Sequence, residues 1–447
     1  MLLSTSTYFV FLVGVFVLYW SVSRVRALAL AAVLFANYFF YARWDLRYLA
    51  IIPLASTADY FIGLGLQATP NRVLRRLLVA ASIALNIGLI AFARNWKLSI
   101  TLSFYAFQAL TYTIDLYRRD SQGTRSYLAH LAAVSFFPTI LAGPITRVSS
   151  LIDQLEKRTP LEAKDGGRAL FLIGVGLIKK LMIADYLAGN LVNRVFDFPN
   201  LYTGAENLIA VYSYTLQLYY DFSGYTDIAL GSALLLGIKL PANFNRPYAA
   251  HNIADFWRRW HITLSNWLRD YLYFSLPGLR SKWKIFTYLN LLITMILGGL
   301  WHGQSWNFVI WGGLHGAGLV VVRLWQIRTG PKPAAGAMWR FVSIFLTVHY
   351  VAFAWIFFRA PNLETATSIL ARIGSGTVSF ANVSPGLWVI LAIAIAAHYI
   401  PKNWYDVSVD LYVRAPFYAQ AAAMAALVIG LQYVAQTGAA PFIYTRF

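Results

Sequence analysis

The 447-residue sequence contains no cysteine, and only 12% of its residues are charged. The absence of cysteine excludes disulfide bonds, thiolate nucleophiles and cysteine metal sites, so a nucleophile must be oxygen or nitrogen. The scarcity of charge excludes a water-soluble chain with a largely polar surface, because 59% of the residues are hydrophobic and 16% are aromatic. The composition therefore predicts an all-α protein that crosses a membrane many times.

Long apolar runs recur from one end of the chain to the other. A bilayer core about 30 Å thick requires about 20 apolar residues per helix, and about a dozen runs approach that length. The first run follows a start without Lys or Arg, which favours a membrane helix over a cleaved signal peptide. Five predicted spans fill residues 8–117, and later ones lie near residues 167–189, 207–221, 225–238, 284–300, 303–325, 340–358, 386–400 and 417–435.

These runs form one continuous membrane domain over residues 1–447, without a low-complexity linker, a strong repeat or a large soluble segment. The run at residues 127–147 is broken by Pro138, Gly143 and Pro144. Helix breaks at membrane depth are tolerated where the freed backbone groups face protein or a wet cavity. The break therefore predicts a re-entrant segment at the wall of a pore or a site.

Basic residues outnumber acidic ones by 37 to 18, a formal net charge of +19. In a membrane protein this excess is typical of cytoplasmic loops rather than of nucleic-acid binding. Dense clusters follow the first, third and fifth spans (Arg24, Arg26; Arg72, Arg75, Arg76; Arg118, Arg119, Arg125), and the loops between carry only Arg43, Arg47, Arg94 and Lys97. The positive-inside rule therefore places the N-terminus outside and the dense clusters in the cytoplasm.

Residues 255–274, DFWRRWHITLSNWLRDYLYF, differ in character from the apolar runs. At about 100° per residue, the charged and aromatic side chains fall on separate faces, which predicts an amphipathic helix lying along the lipid headgroups. His261 stands near the boundary between the faces, beside Trp260, where its imidazole can point inward.

Two histidines, His302 and His315, interrupt the apolar stretch GGLWHGQSWNFVIWGGLHG. An ionisable side chain inside a membrane is costly, so a function is the first hypothesis and a structural hydrogen bond is the alternative. We expect a function for His302. In one continuous helix His315 would lie about 20 Å away on another face, so we expect a packing or hydrogen-bonding role for it.

The stretch LQLYYDFSGYTDIALG places Asp221 and Asp227 around Ser223 and Gly224 in a hydrophobic run. This combination fits a broken helix that binds cations, as in secondary transporters. It fits equally a pair of carboxylates that bind Arg246 or the basic segment that follows. Composition alone leaves both interpretations open.

Four motifs in order, YYDFSGYTDIALG, NFNRPY, FWRRWHITLSNWLRDYLY and GGLWHG…WNFVIWG…HG, resemble the membrane-bound O-acyltransferase family. The branch they resemble is the bacterial one that includes alginate O-acetyltransferases and teichoic acid D-alanyl transferases. Similar stretches upstream extend the resemblance over most of the chain. It implies a multi-helix bundle with re-entrant and interfacial helices around a central tunnel or funnel. Its parts would be N-terminal helices at 1–125, a family core at 126–330 and C-terminal helices at 331–447.

The resemblance implies roles for three residues. The histidine of the WHG motif, required for catalysis in the family, corresponds to His302, and that of RWH, a second site residue in this branch, to His261. The chain ends PFIYTRF, similar to an FIYFxF-like motif whose tyrosine is proposed to accept the acyl group and relay it outward. That residue is Tyr444 here, although Thr445 replaces the usual aromatic residue and Arg446 fills the variable position.

The chemistry of acyl transfer fits these residues. An acyl thioester is already activated, so the protein must bring a hydroxyl to it and remove the hydroxyl proton. A neutral imidazole suits this task, and burial favours the neutral form, so we predict that His302 is the base. Candidate donors to the oxyanion are His261, Trp indoles and backbone N–H groups near the glycines. In a ping-pong version, Tyr444 carries the acyl group before a partner protein receives it.

The leading hypothesis from the resemblance is acetyl transfer from cytoplasmic acetyl-CoA across the inner membrane. A separate periplasmic acetyltransferase of the SGNH type would then O-acetylate an exported polysaccharide such as alginate. The basic cytoplasmic surface suits a phosphate-bearing donor, either coenzyme A or a phosphopantetheinyl carrier. We expect no tightly bound cofactor, no metal and no nucleic acid.

Other functions remain open from the sequence. Within the same class they are D-alanyl transfer from an acyl-carrier protein to a teichoic acid-like polymer, and peptidoglycan O-acetylation. A proton- or cation-coupled transporter would use Asp221, Asp227 and the histidines as its relay. A structural scaffold for an export complex would need none of the histidines for activity.

Overall fold

A computed structural model describes residues 2–92, 99–140, 143–157, 159–278, 283–330 and 336–434. Over these ranges every regular element is a helix, which confirms the predicted all-α class. The α-helices are α1 (Ser6–Val22), α2 (Arg26–Ala42), α3 (Tyr48–Ala68), α4 (Arg72–Phe92), α5 (Ser99–Arg118), α6 (Tyr127–Val134), α7 (Phe137–Ile140), α8 (Val148–Lys157), α9 (Ala163–Leu177), α10 (Asp185–Leu187), α11 (Asn193–Asp197), α12 (Gly204–Leu235), α13 (Ile253–Trp257), α14 (Ile262–Trp267), α15 (Ile285–His302), α16 (Trp306–Thr329), α17 (Ala337–Arg359), α18 (Leu363–Gly374), α19 (Pro385–Tyr399), α20 (Lys402–Arg414) and α21 (Phe417–Val434). π-Helical stretches lie at Ile178–Ala184, Ala188–Val192 and Leu268–Leu272, and 3₁₀ turns at Pro199–Leu201, Pro247–Ala249 and Tyr273–Ser275.

Five of the described helices, α3, α4, α15, α16 and α17, are long and apolar enough to cross a membrane. Helices α19 and α20 meet this criterion only together, and they join at a bend of 94°. Helices α1 and α2, residues Phe417–Leu431 of α21 and the α6–α7 stretch are apolar but shorter, at 10–17 residues. By this criterion the described residues hold five spans, or six if α19 and α20 count as one, which is fewer than the dozen predicted for the whole chain. The chain remains a multi-pass membrane protein.

The two spans predicted at residues 207–221 and 225–238 form one helix, α12, of 32 residues. It begins with a capping box in which Thr203 and Glu206 satisfy each other's backbone N–H groups. Gly224 lies in the unbroken middle of α12, where an added Cβ would come within 2.8 Å of the carbonyl oxygen of Gly176. The predicted helix break is therefore wrong, and this glycine permits close contact between two helical segments.

The two aspartates of α12 form ion pairs with lysines from an earlier helical stretch. Lys180 Nζ lies 2.6 Å from Asp221 Oδ1 and 2.7 Å from Asp185 Oδ1, and Lys179 Nζ lies 2.6 Å from Asp227 Oδ2. These partners precede α12 in the chain, whereas one of the two interpretations left open by the sequence placed them after it. A buried charge needs a close partner of opposite sign, and these pairs supply one inside the protein.

The predicted break near Pro138 is confirmed, since α6 ends at Val134, α7 is a single turn and the described residues after it are non-helical until α8. Its backbone groups find protein partners. The backbone N–H of Phe137 donates to Asn37 Oδ1 at 2.9 Å, and that of Ile145 donates to Thr263 Oγ1 at 3.1 Å. The segment is buried and irregular, as expected of a chain that re-enters the protein at membrane depth.

The single amphipathic helix predicted at residues 255–274 is wrong. The segment is α13, a turn, α14 and a π-helical stretch, and the turn ends at His261 in the left-handed conformation, with φ 41° and ψ 55°. It runs beside α5, where Trp267 Nε1 donates to the carbonyl oxygen of Phe107 at 2.9 Å. Because the backbone turns at His261, the segment packs Phe256, Trp260 and Leu264 into the protein core as two short helices rather than one long one.

Candidate active site

Helices α15 and α16 form an antiparallel hairpin in close contact, and this hairpin positions His302. A Cβ added at Gly299 would overlap the carbonyl oxygen of Phe308, and one added at Gly312 would overlap that of Met295. Small residues allow two membrane helices to approach at backbone distance. The glycines of the sequence motif therefore set the separation of the two helices on which both histidines lie.

His302, the last residue of α15, is enclosed by aromatic rings and only 5% exposed. Its ring centroid lies 4.5 Å from that of Trp301, 5.3 Å from Trp311 and 4.9 Å from Phe358. These neighbours come from α15, α16 and α17. Three helices thus hold one imidazole in an apolar setting, as a base at membrane depth requires.

His315 lies on α16 and contacts the same tryptophan, Trp311. Its ring centroid is 4.9 Å from that of Trp311, and its Nδ1 accepts a hydrogen bond from Trp257 Nε1 at 3.3 Å. The separation of about 20 Å from His302, derived for a continuous helix, does not apply because the chain reverses at residues 303–305. The hydrogen bond from Trp257 supports the predicted structural role of His315.

His261 is buried to 1% exposure between α5 and α12. Its ring stacks near Phe104, with centroids 6.1 Å apart, and meets the edge of Phe222 at 4.7 Å. Its Nδ1 lies 3.1 Å from Asn243 Oδ1. The inward orientation predicted for this imidazole is confirmed.

The left-handed turn at His261 is held by the NFN segment that precedes it in the chain. The backbone N–H of Ile262 donates to the carbonyl oxygen of Asn243 at 2.9 Å, and that of Asn245 donates to Arg259 at 2.9 Å. A non-glycine residue in this conformation costs on the order of 1–3 kcal/mol and persists where its surroundings enforce it. Here one backbone hydrogen bond before His261, at Arg259, and one after it, at Ile262, enforce the left-handed conformation.

The structure brings His261 and His302 into one buried region although 41 positions separate them in the sequence. Phe104 connects their surroundings, with its ring centroid 5.8 Å from Trp301 and 6.1 Å from His261. Tyr444, the third predicted site residue, lies outside the described residues.

Hydrogen-bond donors for a developing oxyanion are also present beside His302. The indole Nε1 atoms of Trp301 and Trp311 are buried, and each lacks a hydrogen-bond partner in the parts of the chain that the structure describes. An indole N–H can only donate, so each can stabilise a negatively charged oxygen. Both indoles belong to rings that pack against His302, with centroids 4.5 and 5.3 Å from its own.

The sequence gave no role to Asn243, which bonds to His261, or to Thr263, which bonds to Asn243. Thr263 Oγ1 donates to Asn243 Oδ1 at 2.9 Å. Both residues lie within quoted motifs, NFNRPY and FWRRWHITLSNWLRDYLY, but nothing in either motif indicates that they meet. A chain reversal between the two motifs creates the contact.

Two buried imidazoles, adjacent indole donors and a multi-pass helical fold define a membrane enzyme capable of acid–base chemistry inside the protein. A family model described as MBOAT, membrane-bound O-acyltransferase family, matches residues 115–364, more than half of the chain. The protein belongs to this family, and it is an O-acyltransferase.

Curated relatives agree with this assignment. The chain is 36% identical over 431 residues to a probable alginate O-acetylase AlgI of Azotobacter vinelandii, covering 90% of this chain and 82% of the relative. It is 34% identical over 396 residues to a peptidoglycan O-acetyltransferase of Helicobacter pylori, covering 78% and 74%. It is 31% identical over 239 residues to a teichoic acid D-alanyltransferase of Bacillus subtilis, covering 50% and 59%. The resemblance predicted from the four motifs is confirmed.

Proposed function

We propose that the protein transfers an acetyl group from cytoplasmic acetyl-CoA to the outer side of the cytoplasmic membrane, for O-acetylation of an exported polysaccharide such as alginate. The observation that carries this proposal is the buried region shared by His261 and His302 inside a membrane protein. Acetyl is favoured over D-alanyl because the two O-acetylating relatives align over 90% and 78% of this chain, and the D-alanyltransferase over 50%.

In this reaction an acceptor hydroxyl attacks the thioester carbonyl carbon. His302 takes the hydroxyl proton as the oxygen–carbon bond forms, and the indoles of Trp301 and Trp311 donate to the resulting oxyanion. The carbon–sulfur bond then breaks, and the CoA thiolate leaves and recovers the proton. The aromatic setting of His302 excludes water, which would otherwise compete as the acceptor.

Contacts among the basic loops support an N-terminus on the outer side. Arg75, at the start of α4, donates to the carbonyl oxygens of Leu116 and Tyr117 at 2.9 and 2.8 Å, so the end of α5 lies beside the α3–α4 turn. Arg26 pairs with Glu156 at 2.6 Å, and Glu156 also accepts from Thr124 at 3.2 Å. The three dense arginine clusters therefore meet on one side, and the positive-inside rule makes that side cytoplasmic.

The depth of the site suits a donor with a long arm. Residues 255–274 run beside α5. At one end His261 packs near Phe104, and at the other end Arg118 donates to the carbonyl oxygen of Asp270 at 2.7 Å. The 14 positions from Phe104 to Arg118 correspond to about 20 Å of helix. An anionic carrier at the basic face, either coenzyme A or a phosphopantetheinyl protein, would extend its thioester inward toward the histidines.

Beyond the membrane, the proposal assigns Tyr444 as an acyl relay and a periplasmic SGNH-type acetyltransferase as the partner that acylates the polysaccharide. The test is the intact mass of the purified protein after incubation with acetyl-CoA, with CoA thiol release followed in parallel. A gain of one acetyl group that His302→Ala and Tyr444→Phe both abolish supports the relay. If thiol release requires His302 but not Tyr444, the protein is still an acetyl-CoA-dependent enzyme, but the relay role of Tyr444 is contradicted.

Peptidoglycan is the alternative acceptor, favoured by the relative from Helicobacter pylori. Acetate content of the exopolysaccharide and of the peptidoglycan, measured in a strain lacking this protein, separates the two. Loss of acetate from the exopolysaccharide alone is expected, whereas loss from the peptidoglycan would overturn the choice of polymer. A cation-coupled transporter is not favoured, because Asp221 and Asp227 lie on an unbroken helix and form ion pairs with lysines.

A further inference from the structure

The amide of Asn243 has a fixed orientation in the structure. Its Oδ1 lies 3.2 Å from the backbone N–H of Thr263 and 2.9 Å from the Oγ1 of the same residue. A backbone N–H can only donate, so the side-chain atom that faces it must be the amide oxygen. The other amide atom, Nδ2, lies 3.5 Å from Thr226 Oγ1, which can accept.

The same oxygen determines which nitrogen of His261 carries the proton. His261 Nδ1 lies 3.1 Å from Asn243 Oδ1, and an oxygen that only accepts requires a proton on Nδ1. A neutral imidazole has one N–H, so Nε2 then has a lone pair. His261 Nε2 is buried and has no hydrogen-bond partner among the described residues.

We propose that Asn243 is a positioning residue that keeps neutral His261 in the Nδ1–H form, with Nε2 presented as a hydrogen-bond acceptor in the site. This inference rests on the proposed acyl transfer. It implies that neutral His261 cannot donate to the oxyanion through Nε2, which removes it from the candidate donors and keeps the indoles of Trp301 and Trp311 among them. His261 instead accepts a proton or a hydrogen bond while His302 acts beside it.

The network around Asn243 is rigid enough for this role. Thr263 Oγ1 donates to Asn243 and accepts from the backbone N–H of Ile145, so its single proton is committed to the amide oxygen. Ile262 N–H bonds to the backbone carbonyl of Asn243 itself. The re-entrant break, the NFN segment and the histidine turn are therefore joined through one asparagine. Hydrogen-bond partners that orient metal-ligating histidines change activity about 10–100-fold when they are removed, and we expect an effect of similar size for Asn243.

The groups that face His261 are few, which simplifies the experiment. Phe104 of α5 and Phe222 of α12 are apolar, and Asn243 is neutral. His302 of α15 is a titratable group nearby, linked to His261 through Trp301 and Phe104. A carboxylate introduced at position 243 is therefore a change in charge that His261 will sense directly.

Two variants separate positioning from simple structural support. Asn243→Leu removes the acceptor, so CoA thiol release from acetyl-CoA should fall at least about 10-fold in kcat, with the KM for acetyl-CoA little changed. Asn243→Asp keeps an acceptor oxygen and favours protonated His261, so it should retain more activity than Asn243→Leu and shift the acidic limb of the pH–rate profile to higher pH. Equal losses in both variants, tracking a lower unfolding temperature and without a shift in the pH profile, would overturn the proposal.

A second measurement does not depend on the acyl donor. Nitrogen-15 NMR of histidine-labelled protein in lipid reports the protonation of each ring, and His261→Gln assigns one of the seven histidines. We expect a protonated Nδ1 and a bare Nε2 in the wild type, and loss of this preference in Asn243→Leu. A bare Nδ1 in the wild type would refute the inference. If the wild type releases no thiol, the proposed function fails, and the NMR result still decides the tautomer.

Discussion

At the scale of residues, three buried histidines share one aromatic region and differ in their hydrogen bonds. His315 accepts from an indole of α13, so its Nδ1 is occupied by the protein itself. His261 faces Asn243 through Nδ1 and has an unpartnered Nε2 among the described residues. His302 is surrounded by rings. Burial alone therefore does not distinguish these histidines, whereas the Nδ1 partner does: a donor faces Nδ1 of His315 and an acceptor faces Nδ1 of His261, so the two neutral rings carry their proton on opposite nitrogens.

His315→Ala should destabilise the protein without abolishing the chemistry. The substitution leaves a cavity and an unpaired indole on Trp257, which together cost roughly 2–5 kcal/mol. We expect a lower unfolding temperature in detergent, and substantial CoA thiol release from the fraction that remains folded. Complete loss of thiol release at an unchanged unfolding temperature would show that His315 takes part in the reaction.

At the scale of elements, the long apolar runs correctly predicted the five N-terminal helices and helices α15, α16 and α17, because length and hydropathy determine such segments.

The structure of residues 255–274 could not be predicted, because the chain turns at His261, and histidine does not signal a left-handed conformation as glycine does. Gly224 suggested a break that does not exist, since its role is close contact with Gly176. The motifs identified His302 and His261 as candidates. They did not indicate the contact between Asn243 and His261, because only the tertiary structure brings these residues together.

The α15–α16 hairpin provides a matched pair of glycine substitutions. A side chain at Gly312 would overlap the backbone of α15 at Met295, whereas a Cβ at the adjacent Gly313 meets no atom within 4 Å. Gly312→Val should therefore separate the helices, displace His302 and abolish thiol release. Gly313→Ala should retain activity and folding. Full activity in Gly312→Val would mean that close helix contact does not position the site.

At the scale of the whole molecule, the chain brings its basic loops to one face and its histidines to about 20 Å from that face. Charge distribution along the sequence predicted the first feature, because loop charge sets orientation independently of packing. The second depends on the parallel course of α5 and the α13–α14 segment, which no local pattern indicates. Together these features support the proposed entry of the donor from the cytoplasm.

The orientation can be tested directly because the chain has no native cysteine. Leu46, 73% exposed between α2 and α3, should be outside, and the exposed Gln122, after α5, should be cytoplasmic. In intact spheroplasts an impermeant maleimide should label Leu46→Cys, and it should label Gln122→Cys only after permeabilisation. The reverse pattern would invert the topology and place the basic face outside.

The central claim is that His302 performs the proton transfer of an acetyl-CoA-dependent reaction. The most direct measurement is CoA thiol release by purified wild type, His302→Ala and the exposed-histidine control His251→Ala. The account predicts release by the wild type and by His251→Ala, and a rate about 10²–10⁴-fold lower in His302→Ala at an unchanged unfolding temperature. Release by folded His302→Ala at the wild-type rate would contradict it.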